Sequence, residues 1–404
     1  MRHYNYICTT IVIMMDKIFN NTQNAFSLKS DAELDRAYFL FKMIAVRPLV
    51  RIGTSLTNFA LKANLPVEGL IRATVFDHFC GGVSENDCIP VVDKMFAKGV
   101  SSILDYSIEG KEDEAHFDDA MKMTLKTIVL AKERNAIPFA VFKPTGFGRF
   151  ELYEKLAENK PLSDVENAEW SRVEERFEQV CKAAHDYNVA LLIDAEESWM
   201  QDPADALVTR MMQKYNTQKA IIFNTLQMYR WDRLEYLKKV HEQAKTDGFY
   251  IGMKLVRGAY MEKENDRAKE KGYKSPICES KQATDDNFDA AVDYMLANIA
   301  KMTIFAGTHN EQSSYTLMQK MHDKAISKND TRIWFGQLYG MSDNISYNLA
   351  AEGYNVAKYL PFGPVKEVMP YLIRRAEENT SVAGQTSREL LLLKTERNRR
   401  KGKS

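Results

Sequence analysis

From residue 100 onward, short apolar runs recur along the chain, each followed by a longer charged stretch with apolar residues at helical spacing. The runs are 102–106 (SILDY), 139–143 (FAVFK), 190–194 (ALLID), 220–224 (AIIFN), 250–256 (YIGMKLV), 302–306 (MTIFA), 332–337 (RIWFGQ) and 355–360 (NVAKYL). Continuous apolar runs predict strands buried on both faces, and their alternation with helices predicts right-handed βαβ units. Eight units in about 260 residues suit a closed (β/α)8 TIM-like barrel of ~250 residues better than an open doubly wound sheet.

Before residue 100 the period is helical. Ser30 or Asp31 heads the series Leu34, Ala37, Tyr38, Phe41, Ile44 and Ala45, the spacing of one apolar helix face, which Pro48 interrupts. A second helix is expected from about 65 to 80, stopped by Gly81-Gly82, and a third from Pro90 to Gly99 with proline as its first residue. The expected organisation is an N-terminal extension (1–29), a helical arm (30–99), a barrel (100–385) and a basic C-terminal tail (386–404). Met14 and Met15 offer alternative starts for the extension. The tail, with Arg397, Arg399 and Arg400, reads as a disordered solvated end, with peripheral contact to anionic lipid as the alternative.

Composition narrows the function classes. The 404 residues are 45% hydrophobic and 27% charged, which excludes a disordered or fibrous chain. Fifty-five basic residues balance fifty-five acidic ones, so the basic surplus expected of a nucleic-acid binder is missing. Five scattered cysteines without a C-x-x-C argue against a disulfide framework or zinc site and fit a reducing, cytoplasmic setting. No run of 18 apolar residues predicts a membrane span.

Barrel chemistry gathers at the C-terminal ends of strands. Those ends carry Asp105, Lys143, Asp194 with Glu196 and Glu197, Gln227, then Lys254, Arg257 and Tyr260, Thr308-His309-Asn310, Gln337, and Tyr359. Gly146-Phe147-Gly148 lacks the third glycine of a dinucleotide fingerprint and reads as a turn. Scattered histidines disfavour a metal centre. Beyond the last strand, Pro370 is expected to open a helix on which Tyr371, Arg374, Arg375 and Glu378 share one face. Paired guanidinium forks suit a carboxylate or phosphate. Lys143 and Lys254 keep Schiff-base lyase chemistry open, and a flavin-binding scaffold without turnover is the non-enzymatic alternative.

The segments LLIDAEE (191–197), KLVRGAY (254–260), GTHN (307–310), GQLYGM (336–341) and YLPFGPVKEVMPYLIRRAEEN (359–379) resemble the proline dehydrogenase family, in the family's order. The resemblance implies a distorted (β/α)8 barrel binding FAD, in a monofunctional, bacterial-type enzyme. It would oxidise L-proline to Δ1-pyrroline-5-carboxylate by hydride transfer from C5 to the flavin N5, as the first step of proline catabolism to glutamate. Electrons would pass to a membrane quinone, with peripheral contact at the inner membrane, and a separate Δ1-pyrroline-5-carboxylate dehydrogenase would take the product. It further implies that Arg374 and Arg375 clamp the substrate carboxylate with Glu378 in support, and that Leu338, Tyr359 and Tyr371 wall the pyrrolidine ring. Asp194 would pair with Tyr260 beneath them, Asp105 with Lys143, and Glu109 would gate the first arginine. Gln227, Lys254, Val256, Arg257, Gly258, Ala259, Thr308 and His309 would contact the flavin or its tail. Some members have arginine where this chain has Lys254, a point charge without the planar fork. Hydroxyproline-preferring relatives carry a smaller residue in place of Tyr359, so a preference for proline is expected here.

Overall fold

The structure is a computed structural model and describes residues 18–46, 48, 53, 67–108, 112–381 and 385–402; the side chains of 70, 73, 376–381 and 385 are not characterised. Eight parallel strands close a barrel in chain order: β1 (Val100–Tyr106), β2 (Phe139–Phe142), β3 (Ala190–Ile193), β4 (Ile222–Gln227), β5 (Ile251–Val256), β6 (Met302–Gly307), β7 (Ile333–Leu338) and β8 (Val356–Phe362). Every expected run forms a strand. The register is uneven: β1 pairs with β8 from Val100–Val356 through Tyr106–Phe362, whereas β1–β2 pairs only at Ile103–Phe139 and Leu104–Ala140.

Alternation along the strands divides two cores. Inward residues such as Ile103, Phe139, Leu192, Phe223 and Phe305 fill the barrel, with Phe139 edge-on to Phe223, Phe305 and Trp334 at 5.9, 5.3 and 5.1 Å. Outward residues such as Leu104, Ala140, Leu191 and Ile304 pack in the larger core beneath the surrounding helices.

The arm begins with α1 (Asp31–Ile44), started by a reciprocal capping box between Ser30 and Glu33. A helical stretch with a π-segment at Arg72–Phe76 ends at Phe79, before Gly81-Gly82. Then α2 (Glu85–Phe96) opens on a second capping box, Ser84 with Asp87, so Pro90 lies inside the helix and does not start it. The linking helices are α3 (Glu114–Glu133), α4 (Phe150–Ala157), α5 (Asp164–Tyr187), α6 (Ser198–Tyr215), α7 (Arg233–Asp247), α8 (Met261–Lys271), α9 (Lys281–Ala297), α10 (Glu311–Asp323) and α11 (Asp343–Ala351).

Two expectations fail at the C-terminal end. The helix after β8, α12 (Val365–Ser381), starts five residues before Pro370. Pro364 performs the starting role: Val368 N–H donates to the Pro364 carbonyl at 3.1 Å, closing the first turn. The basic tail is also no solvated coil. It is α13 (Gln385–Arg400), whose Leu392 and Leu393 enter a separate core with Phe26, with Leu34 and Phe41 of the arm and with Val368 and Leu372 of α12. Three of its arginines are spent on residues 26–35 and on their own helix: Arg397 bonds Asp35, Arg400 bonds Asp31 and the Phe26 and Lys29 carbonyls, and Arg399 bonds the buried Glu396. Among the described residues no helix is long and apolar enough to cross a membrane.

Candidate active site

At the C-terminal ends of the strands lies a cavity of about 530 Å³. Asp105, Lys143, Asp194, Gln227, Lys254, Val256, Arg257, Gly258, Ala259, Tyr260, Thr308, His309, Leu338, Tyr359, Tyr371, Arg374 and Arg375 all line it. The sequence-predicted residues therefore converge, although they come from all eight strand ends and from α12. Glu109 and the side chain of Glu378 lie outside the described residues.

Lys254 and Asp194 form the floor. Lys254 Nζ donates to Asp194 Oδ1 at 2.5 Å and to Tyr359 Oη at 2.8 Å, and the Tyr359 hydroxyl lies 3.4 Å from the same carboxylate oxygen. Asp194 thus turns to Tyr359 and Lys254, where the resemblance paired it with Tyr260. The reason is strand order: β5 and β8 both point these side chains inward above the Phe305 layer, with the Tyr359 and Phe305 rings at 6.1 Å. Asp105 is buried, which raises its pKa, with Lys143 the strongest opposing charge, and it accepts from Ser107 Oγ at 2.8 Å.

Above the floor, α12 brings Tyr371, Arg374 and Arg375 to the cavity wall. The Arg375 guanidinium sits 5.1 Å from the Tyr371 ring centre, and that of Arg374 6.0 Å from the Tyr260 ring centre. Gly363, with φ of 147°, permits the sharp exit from β8 that lays α12 against the arm.

Along the β4–β6 side the wall is rigid. Arg257 is held by Asp285 at 2.6 Å, Thr308 Oγ1 at 2.8 Å and Ser313 Oγ at 2.9 Å, over the Phe288 ring. Gly258 has φ of 123°, and a Cβ there would fall 1.5 Å from the Tyr229 ring, so only glycine brings the backbone this close. Gln227 donates to the Glu196 carbonyl at 2.5 Å. His309 is buried. Burial first, then Lys358, Arg375 and Arg257, push its pKa down to about 3, so the ring is neutral. Leu338 N–H donates to Nε2 at 3.5 Å, which leaves the proton on Nδ1 to donate to Ser342 Oγ at 2.9 Å.

Sequence reading missed several groups. Lys358, fully buried on the outer face of β8, bonds Asp343 at 2.9 Å and the Met341 carbonyl at 2.7 Å. Burial alone would raise the Asp343 carboxyl, but Lys358 and Lys29 outweigh it and hold it far below the carboxylate range. A lysine inside the apolar run VAKYLPF was the available signal. Arg388 and Glu389 of α13 also line the cavity, together with Glu311 and Asn344.

The wall offers amide and backbone groups (Gln227, Gly258, Ala259, Thr308) beside cations (Lys254, Arg257, Lys281), a donor set that fits a planar heteroaromatic ring with an anionic tail. Among the described residues no cluster of His, Cys, Asp and Glu suits a metal ion.

Residues 88–388 match the protein family described as proline dehydrogenase. The chain is 35% identical over 362 residues to the carbapenem antibiotics biosynthesis protein CarD of Pectobacterium carotovorum subsp. carotovorum, covering 89% of this chain and 94% of that one. It is 30% identical over 422 residues to the mitochondrial proline dehydrogenase 1 of Arabidopsis thaliana, covering 93% and 85%. It is 31% identical over 413 residues to the hydroxyproline dehydrogenase of Xenopus laevis, covering 93% and 88%. Among solved structures, proline utilization A from Bdellovibrio bacteriovorus superposes with a TM-score of 0.73 at 20% identity, over 94% of this chain and 42% of that chain. That likeness concerns the fold.

Proposed function

The chain belongs to the proline dehydrogenase family, and from that premise we propose that it oxidises L-proline to Δ1-pyrroline-5-carboxylate, with FAD as its resident cofactor and a quinone as final acceptor. The observation that carries the reading is the convergence of Arg374 and Arg375 with Tyr359, Tyr371 and Leu338 above the Lys254–Asp194 pair.

Proline is a small zwitterion. Two guanidinium groups take its carboxylate, each charge-assisted bond contributing about 1.5–3 kcal/mol. Tyr359, Tyr371 and Leu338 then fix the ring, and fixed geometry is the larger part of what a protein adds to a cofactor reaction. Asp194 is already paired with Lys254 and so does not hold an ammonium. The surrounding cations favour the neutral amine, whose lone pair is needed to form the C=N bond as hydride leaves C5.

Gln227, Lys254, Val256, Arg257, Gly258, Ala259, Thr308 and His309 are the residues that would hold FAD. When bound, FAD supplies the acceptor for the hydride and later passes two electrons on. Lys254 is held by two partners and Lys143 is engaged as well, so neither presents the free amine of a Schiff-base lyase.

The test is the visible spectrum of the purified protein, taken anaerobically before and after L-proline. Flavin absorbance that bleaches with proline is the expected result. A flavin that stays oxidised overturns the substrate, and failure to take up FAD overturns the cofactor.

A further inference from the structure

The cations of the cavity fall into two groups. Lys143, Lys254, Arg374 and Arg375 line the cavity with Tyr359, at the end assigned above to the substrate. Arg257, Lys281 and Arg388 lie along a second wall built on Asp285, Thr308 and Glu311. The last of these comes from α13, outside the barrel altogether.

Arg388 is a prepared group. Its Nε donates to Glu311 Oε1 at 2.8 Å, and its NH2 group donates to Glu311 Oε2 at 3.2 Å and to Asn20 Oδ1 at 2.6 Å. Its NH1 group has no protein partner among the described residues. Glu311 is itself fixed by Asn344 Nδ2 at 2.9 Å, and follows Thr308-His309-Asn310 directly. Helix α13 holds this position because Thr22 donates to the buried Glu396 at 3.0 Å and Arg400 donates to two carbonyls of the 26–29 turn.

The NH1 group of an arginine anchored in this way, on the same wall as Arg257 and Lys281, suits a diphosphate better than a lone carboxylate. We infer that the C-terminal helix is a working wall of the cofactor site, and that Arg388 binds the diphosphate of FAD. This rests on the FAD reading above.

The test uses the full chain, stripped of flavin, with binding of FAD and of riboflavin measured by quenching of flavin fluorescence. Riboflavin has the ring but no phosphate. Arg388→Gln is expected to weaken FAD by about tenfold, the scale of one charge-assisted bond, and to leave riboflavin unchanged. Arg388→Lys, which keeps the charge, is expected to recover most of that loss. Equal affinity of Arg388→Gln and the unaltered chain for FAD overturns the inference. So does a parallel loss of both ligands, which marks a structural role. If Arg388→Gln does not fold, Arg388→Met takes its place with the same outcomes: a loss confined to FAD supports the inference, and FAD affinity equal to that of the unaltered chain overturns it. An unaltered chain that binds neither flavin sinks the cofactor reading instead, so the two failures are distinct.

Discussion

At the scale of single residues, Tyr359 joins an observed contact to a proposed one: its hydroxyl is bonded to Lys254 and Asp194, and its ring would close the proposed substrate box. Tyr359→Ser opens space beside the ring carbon C4, so the ratio of kcat/KM for trans-4-hydroxyproline over proline should rise by on the order of tenfold. Parallel steady-state assays check this, and an unchanged ratio refutes it. Arg375→Met would remove half of the proposed carboxylate clamp and should lower kcat/KM for proline by roughly 10–100-fold. Glu196 gives a pH effect with a definite sign. It accepts from Thr145 N–H at 3.0 Å and from Thr145 Oγ1 at 2.7 Å, and burial lifts its pKa from 4.5 to about 7 against those bonds. The fold therefore favours the protonated carboxyl. Its contribution to stability is full below the ordinary pKa and is lost as pH rises to about 7. Glu196→Gln mimics the neutral form, so it should raise Tm at pH 8 and not at pH 4. A gain equal at both values rejects this account. Most of the site was legible at this scale because a charged or amide residue at the end of an apolar run is conspicuous. Lys358 was not, since its partner Asp343 comes from a neighbouring helix.

At the scale of elements, local signals were reliable where they close on themselves. The Ser30–Glu33 box is readable as S-D-A-E, and the helix begins there. Ser30→Ala should cost about 1 kcal/mol, visible as a lower urea midpoint with unchanged slope; an unchanged midpoint would show that tertiary contacts alone hold α1. Prolines misled because two signals competed. Ser84 and Pro364 set the starts of α2 and α12, while Pro90 and Pro370 are carried inside helices whose packed faces tolerate one missing bond. Helix α13 misled for another reason. Its arginines look solvated in sequence, but Asp35 lies 362 positions away from Arg397, and no local pattern reports a partner that distant.

Over the whole molecule, the barrel was legible because one motif repeats eight times, and a repeated weak signal becomes a strong one. The resemblance implied a distorted barrel, but the packing of its last helix was not legible. The helix after β8 shares its core with the arm and α13, so Arg374 and Arg375 stand on an element supported from before β1 and after β8 alike. Loosening that support should act on the site from a distance. The double variant Arg397→Gln, Arg400→Gln removes contacts to Asp35, Asp31 and the 26–29 turn and touches nothing in the cavity. It should raise KM for proline and speed protease cleavage within α13. Unchanged KM together with unchanged cleavage refutes the coupling.

The clasp between the two ends also sets an order in time. The Lys29 carbonyl and its donor Arg400 are 371 residues apart. A ribosome adding about 5–20 residues per second needs roughly 20–70 s to span that interval. Throughout it the barrel strands can emerge and pair, but the apolar faces of the arm have no C-terminal helix to cover them. The nascent chain is thus an unfinished vessel until α13 is made, and its exposed arm is where a chaperone would have something to hold.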